Sequence, residues 1–135
     1  MPASNPSFLA LNPALTHLYS VNEDDPGNVS AYVIDQDWSG RLVFINSVPA
    51  NGRHTTHLIV HPLGQYLMAA NYTSGNFPIF RLQSDGSIGA RTADFQSVGN
   101  GTGPNAGRQE GPHAHQILTD LDGMHSSASI WAPTR

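Results

Sequence analysis

The chain resembles itself. FLALNPALTHLYSVNE, from Phe8 to Glu23, lies over LIVHPLGQYLMAANY, from Leu58 to Tyr72. Leu11, Pro13, Leu18 and Asn22 then fall on Val60, Pro62, Leu67 and Asn71 at a constant spacing of 49 residues. Further on, Gly27 to Tyr32 falls on Gly75 to Phe80, and Ser39 to Leu42 on Asp85 to Ile88. A third start, HQILTDLDG from His115, matches HLIVHPLGQ from His57, with the Gly-rich insert Gly99 to Gly107 taking up the extra length. A period near fifty residues lies in the range of propeller blades.

Local patterning agrees with that period. Each repeat divides into short apolar or alternating runs, FLAL, HLYSV, VSAYVI and LVFINSV, rich in the residues that suit strands. NPALT, DDPGN and DWSG supply turns between them. No segment carries the 3.6-residue apolar period of an amphipathic helix. Four short antiparallel strands joined by tight turns describe one blade. The expected fold is therefore all-β: about two four-stranded blades plus the first strand of a third. A meander or sandwich of two similar sheets is the plainer alternative. The repeats run over about 5–53, 54–112 and 113–123, within one partial domain spanning 1–123, followed by a divergent tail, 124–135.

Composition removes several function classes. At 135 residues and 39% apolar content the chain suits one folded domain. The net charge is −4, with six Arg, no Lys and no basic block, so nucleic acid is not an expected partner. No apolar run approaches spanning length and the N-terminus lacks a leader pattern, so no membrane partner is expected and a cytoplasmic location is the default. Without cysteine there are no disulfides or thiolate metal sites.

The chemistry concentrates in RQEGPHAHQI, Arg108 to Ile117, which sets a guanidinium, a carboxylate and two imidazoles within ten residues. Propeller ligand sites gather at the mouth of the central channel. The segments leading into the inner strands, Asn5 to Ser7, His54 to His57 and Glu110 to His115, would supply such a site here. In an extended strand His113 and His115 share a face, with Ala114 opposite. Glu110, just before the Gly111–Pro112 bend, is within reach of either imidazole. Hydrolytic chemistry needs an activated water and a proton for the leaving group, transfers that histidine supplies near neutrality. Arg108 offers a planar donor fork to a substrate carboxylate or phosphate. His57, Asn71 and Glu23 complete the substrate-binding candidates. Each has a plainer reading: a satisfied structural His57, an Asn22 and Asn71 that tie blade turns through side-chain hydrogen bonds, and a Glu110 that only pairs with Arg108. His17, His61, Arg41, Arg81 and Arg91 read as solvated surface. Glu110, His113 and His115 form a weak signal for a divalent metal.

NPSFLALNP, THLIVHPLGQYLMAANYTSGNFPIF and above all RQEGPHAHQI resemble the seven-bladed propeller lactonase family, over about Asn5 to Gly123. That family includes propeller-type 6-phosphogluconolactonases and 3-carboxy-cis,cis-muconate lactonizing enzymes. The resemblance implies hydrolysis of a small-molecule sugar lactone, with carboxymuconate lactonization as the enzyme alternative and a protein-binding scaffold as the non-catalytic one. It places His115 at the family's active-site histidine. In this reading His115 is the acid/base, Glu110 orients it or helps activate water, and Arg108 with His113 binds the anionic substrate. No cofactor or metal is implied. A seven-bladed ring needs more than twice this length, and an Arg and a Glu of the family's site come from the blade after this segment. The expectation is therefore a truncated, impaired chain that self-associates through exposed blade faces. After Gly123 the tail puts Ser126 and Ser127 where Leu67 and Met68 set an apolar pair. A shifted reading frame past Gly123 is the expected source of that break, with a genuine short protein of divergent end as the alternative.

Overall fold

A computed structural model describes residues 3–37, 39–99 and 109–131, and every regular element in it is a strand. Strands β1 (Leu9–Leu11), β2 (His17–Asn22), β3 (Asn28–Ile34) and β4 (Leu42–Pro49) form one antiparallel sheet in chain order. Strands β5 (Thr55–Val60), β6 (Tyr66–Asn71), β7 (Asn76–Leu82) and β8 (Ile88–Gln96) form a second with the same order. A third sheet pairs β9 (His113–Thr119) with β10 (Ser126–Trp131). Two four-stranded blades and the opening strand of a third are therefore present as expected. The tail adds a second strand to the third blade, with Ser126 opposite Thr119 and Ala128 opposite Ile117. Backbone pairing carries it despite the missing apolar pair.

The middle sheet is buried on both faces, and β6 shows why. Leu67 and Ala69 enter a core shared with Tyr19, Val21, Val29 and Ala31 of the first sheet. The alternate residues Met68 and Ala70 enter a second core with Phe77, Ala114 and Ile117, which reaches the third sheet. A side-chain period of two thus glues one strand to both neighbouring blades. Polar ties reinforce the first junction. The Asn46 side chain donates to Ile88 O (2.8 Å) and accepts from Ile88 N–H (3.1 Å), and Tyr19 Oη donates to Gly86 O (2.9 Å). Burial, with the nearby Asp85 charge adding to it, pushes the Tyr19 phenol up to about 12.

His17 and His61 are not solvated surface residues. His17 Nε2 bonds Asp85 O at 3.1 Å and His61 Nε2 bonds Gly123 O at 3.0 Å, so each reaches the turn of the following sheet. The space is closely fitted. A Cβ on Gly86, which sits at φ +81°, would lie 2.1 Å from the His17 ring, and one on Gly123, at φ +72°, would lie 2.4 Å from the His61 ring.

The third repeat is displaced by one residue from the sequence match. His61 N–H bonds Tyr66 O and Gly64 N–H bonds His61 O; the same pair recurs from Asp120 to His125 and from Gly123 to Asp120. The spacing is therefore 59, and His113 is the counterpart of His54 while His115 is the counterpart of Thr56. Both latter residues are the extra residue of a β-bulge. Thr55 pairs Asn71 and His57 pairs Ala70, leaving Thr56 over; Ala114 pairs Ile130 and Gln116 pairs Ser129, leaving His115 over.

The first sheet's far face lies open. Leu9 is 53% exposed where its counterpart Leu58 is fully buried, and Leu42 is 46% exposed where Ile88 is buried. Beside β7, Met68, Phe77, Ile79, Phe95 and Ile117 line a groove of about 370 Å³. No helix of the described residues is long and apolar enough to cross a membrane.

Candidate active site

Backbone bonds gather the strand-leading segments at one end of the inner strands. His54 N–H donates to Asp24 O (2.9 Å), Tyr72 N–H to His54 O (2.9 Å) and Glu23 N–H to Asn5 O (3.0 Å). Asn5 and His54, 49 residues apart, share a left-handed φ of 41° and 54°. The turn before each inner strand is thus built the same way twice.

Against this frame β9 delivers its two imidazoles. His113 is buried, with a side chain 7% exposed, and its ring stacks on Tyr72 at 4.5 Å and 15°. Its Nδ1 lies 3.2 Å from Tyr72 O. A carbonyl only accepts, so Nδ1 carries the proton in that bond. Nε2 has no hydrogen-bond partner among the described residues and faces Glu110 Oε1 at 3.7 Å. His115 is exposed and stands edge-on to the same Tyr72 ring at 6.2 Å and 75°. Both imidazoles therefore lie on the Tyr72 side of β9, although the bulge at His115 interrupts the regular alternation there.

His57 lies beneath them, its ring 4.1 Å from that of Phe8. Its Nδ1 accepts the Ile117 N–H at 3.4 Å, a long bond that leaves the ring proton on Nε2. Burial holds the His57 imidazole below the usual histidine range, and the charge of His115 pushes it the same way. An enclosed, hydrogen-bonded imidazole fits the structural role weighed against substrate binding.

Two of the sequence-derived roles need correction. Glu110 Oε1 lies 3.7 Å from His113 Nε2, too far for a hydrogen bond, and Glu110 makes no hydrogen bond or ion pair with His115 among the described residues; with its side chain 60% exposed, it makes no contact that orients His115. Asn71 is fully buried and fully committed. Its amide nitrogen donates to Ala50 O (2.8 Å) and Asn76 Oδ1 (3.1 Å), and its oxygen accepts the Thr55 hydroxyl (2.7 Å). It has no atom left for a substrate. Glu23 is half-buried at the end of β2, and among the described residues its carboxylate makes no hydrogen bond. Arg108 and most of the Gly-rich insert lie outside the described residues.

Sequence reasoning missed Tyr72, which was legible through the repeat as the counterpart of Glu23; His54, inside a strand-leading segment already named, is the counterpart of His113. As to metals, the oxygen and nitrogen donors that converge among the described residues are Asp120, Asp122 and His125 in the exposed β9–β10 turn. Two of these carboxylates already cap turn N–H groups, Asp120 at His125 and Asp122 at Met124.

The chain matches the family model described as lactonase, 7-bladed beta-propeller, over residues 2–128. It is 38% identical over 112 residues to a 6-phosphogluconolactonase of Bacillus subtilis, covering 82% of this chain and 31% of the relative. It is 32% identical to one of Formosa agariphila, covering 87% of this chain and 33% of the relative. Among solved structures, a Bacteroides uniformis protein assigned to the 6-phosphogluconolactonases superposes with a TM-score of 0.84 at 31% identity, over 96% of this chain and 37% of that one. The periplasmic gluconolactonase of Pseudomonas aeruginosa superposes at 0.86 with 25% identity, over 98% of this chain and 38% of that one. The chain spans about a third of the length of these relatives. With the blade geometry, the inner-strand histidines and a family match across nearly its whole length, the chain belongs to the seven-bladed β-propeller lactonase family.

Proposed function

We propose that the chain carries part of a site for hydrolysing a sugar lactone of the 6-phosphogluconolactone type. The observation that carries this reading is the solvent-facing His115 imidazole, placed by a β-bulge beside a buried pair of histidines. His115 is the group exposed enough to take a proton from an attacking water and return it to the ring oxygen that leaves. Buried His113 shapes the wall behind it, and Glu110 sets the charge facing His113. Arg108 remains the candidate for the substrate's anionic group. The relatives named for phosphogluconolactone and gluconolactone favour a sugar ring over a carboxymuconate.

Titrating the chain with 6-phosphogluconate, the hydrolysis product, tests the reading by NMR and calorimetry. The expected result is a saturable shift of the His115 imidazole signals that His115→Ala abolishes with the strand signals unchanged. A pH-stat assay with the lactone then reports any turnover above the spontaneous rate. The absence of both binding and turnover would refute the reading, and turnover untouched by His115→Ala would remove His115 from it.

A further inference from the structure

Three separate contacts meet at Tyr72. Its N–H donates to His54 O at 2.9 Å, its carbonyl accepts the His113 Nδ1 proton at 3.2 Å, and its ring touches both imidazoles of β9. The first contact belongs to the repeat. Glu23, 49 residues earlier, donates in the same way to Asn5 O, and both acceptors hold left-handed backbone. The ring does not belong to the repeat. The first repeat carries a glutamate at this place and still forms the same four-stranded sheet. Blade geometry therefore does not call for an aromatic side chain at position 72. What differs at the second place is its surroundings: two imidazoles stand opposite the ring. One of them, His115, is the extra residue of a bulge, so its backbone is outside the regular ladder that fixes side-chain direction elsewhere on β9.

We propose that Tyr72 is the positioning residue of this site, holding His113 in its Nδ1–H form and walling His115 into one orientation. The proposal rests on reading His113 and His115 as the working pair of the lactonase site. The stacked ring fixes the plane of His113 while the carbonyl fixes which nitrogen bears its proton. With Nδ1 committed, Nε2 is left 3.7 Å from Glu110 Oε1 without a hydrogen bond. The edge-on contact limits the swing of His115. A site that must hand a proton to and from one atom gains from both restrictions.

Long-range ¹H–¹⁵N imidazole spectra of the 135-residue chain, with Tyr72→Phe, Tyr72→Leu and Tyr72→Glu variants, test this. Wild type and Tyr72→Phe are expected to show His113 as a single Nδ1–H tautomer with sharp His115 signals. Tyr72→Leu and Tyr72→Glu are expected to mix the two His113 tautomers and to collapse the His115 signals toward those of a freely rotating imidazole, with β5–β8 amide signals unchanged. The Tyr72→Glu variant keeps the test decisive if the leucine variant does not fold, because the first repeat accepts glutamate at this place. Unaltered imidazole spectra in the folded variants, or a wild-type His113 protonated at Nε2, would overturn the proposal. Imidazole changes in a chain that binds no 6-phosphogluconate would leave the positioning role standing and remove the lactonase reading; the reverse pattern would do the opposite.

Discussion

Replacing Asn71 by Ala removes a fully buried side chain that makes three hydrogen bonds beside the first blade junction. Three bonds disappear at once: those to Ala50 O, Asn76 Oδ1 and the Thr55 hydroxyl. Thr55 is fully buried, so water does not replace its lost acceptor. The Ala50 carbonyl loses its amide donor in the same enclosed place. Each buried group left unpaired costs about 1–3 kcal/mol, so the two fully buried partners, the Thr55 hydroxyl and the Ala50 carbonyl, predict a loss of about 4 kcal/mol before any cost at Asn76. Net stability of a domain is only about 5–15 kcal/mol, which makes this a large fraction. With a urea slope of about 2 kcal/mol/M for a chain of this size, the unfolding midpoint should fall by about 2 M. Equilibrium urea melts followed by circular dichroism and fluorescence measure it. Thr55→Val supplies the control, since deleting both partners removes the orphaned hydroxyl and the double variant should lose less than the sum of the singles. A midpoint within about 0.3 M of wild type for Asn71→Ala, where the costs above predict several times more, would refute the accounting.

Two further outcomes are expected. His57 has a folded pKa held below the ordinary histidine value, so the unfolded chain binds its proton first as pH falls. Its contribution to stability is present above the ordinary value and is lost as pH drops through the folded one; His57→Gln should flatten that acid limb of the urea midpoint against pH, and an identical limb would count against it. The open face around Leu9 and Leu42 is expected to drive association of copies, seen as a sedimentation coefficient that rises with concentration and stays constant in Leu9→Asp/Leu42→Asp; a wild-type monomer at every concentration would contradict this.

The strands themselves were legible because blades are local objects. Alternation of apolar residues over four to eight positions and turn residues at NPALT and DDPGN act within one repeat, and the 49-residue spacing carried the pattern from the first sheet to the second. His113 and His115 were legible on one face for the same reason. Glu110 was not, because which imidazole a carboxylate meets depends on how the Gly111–Pro112 bend turns, and no local pattern encodes that.

Residue order by itself determined the four-strand unit, its repetition and the imidazoles at the head of β9, since each follows from neighbours in the chain. Only the tertiary structure decided that the third unit is shifted by one residue, that a bulge pushes His115 into solvent, and that Asn71 is consumed by its own blade junction. Those outcomes are set between sheets, where packing of Leu67 and Ala69 on one side and Met68 and Ala70 on the other fixes the register that hydrogen-bonded turns must then accommodate.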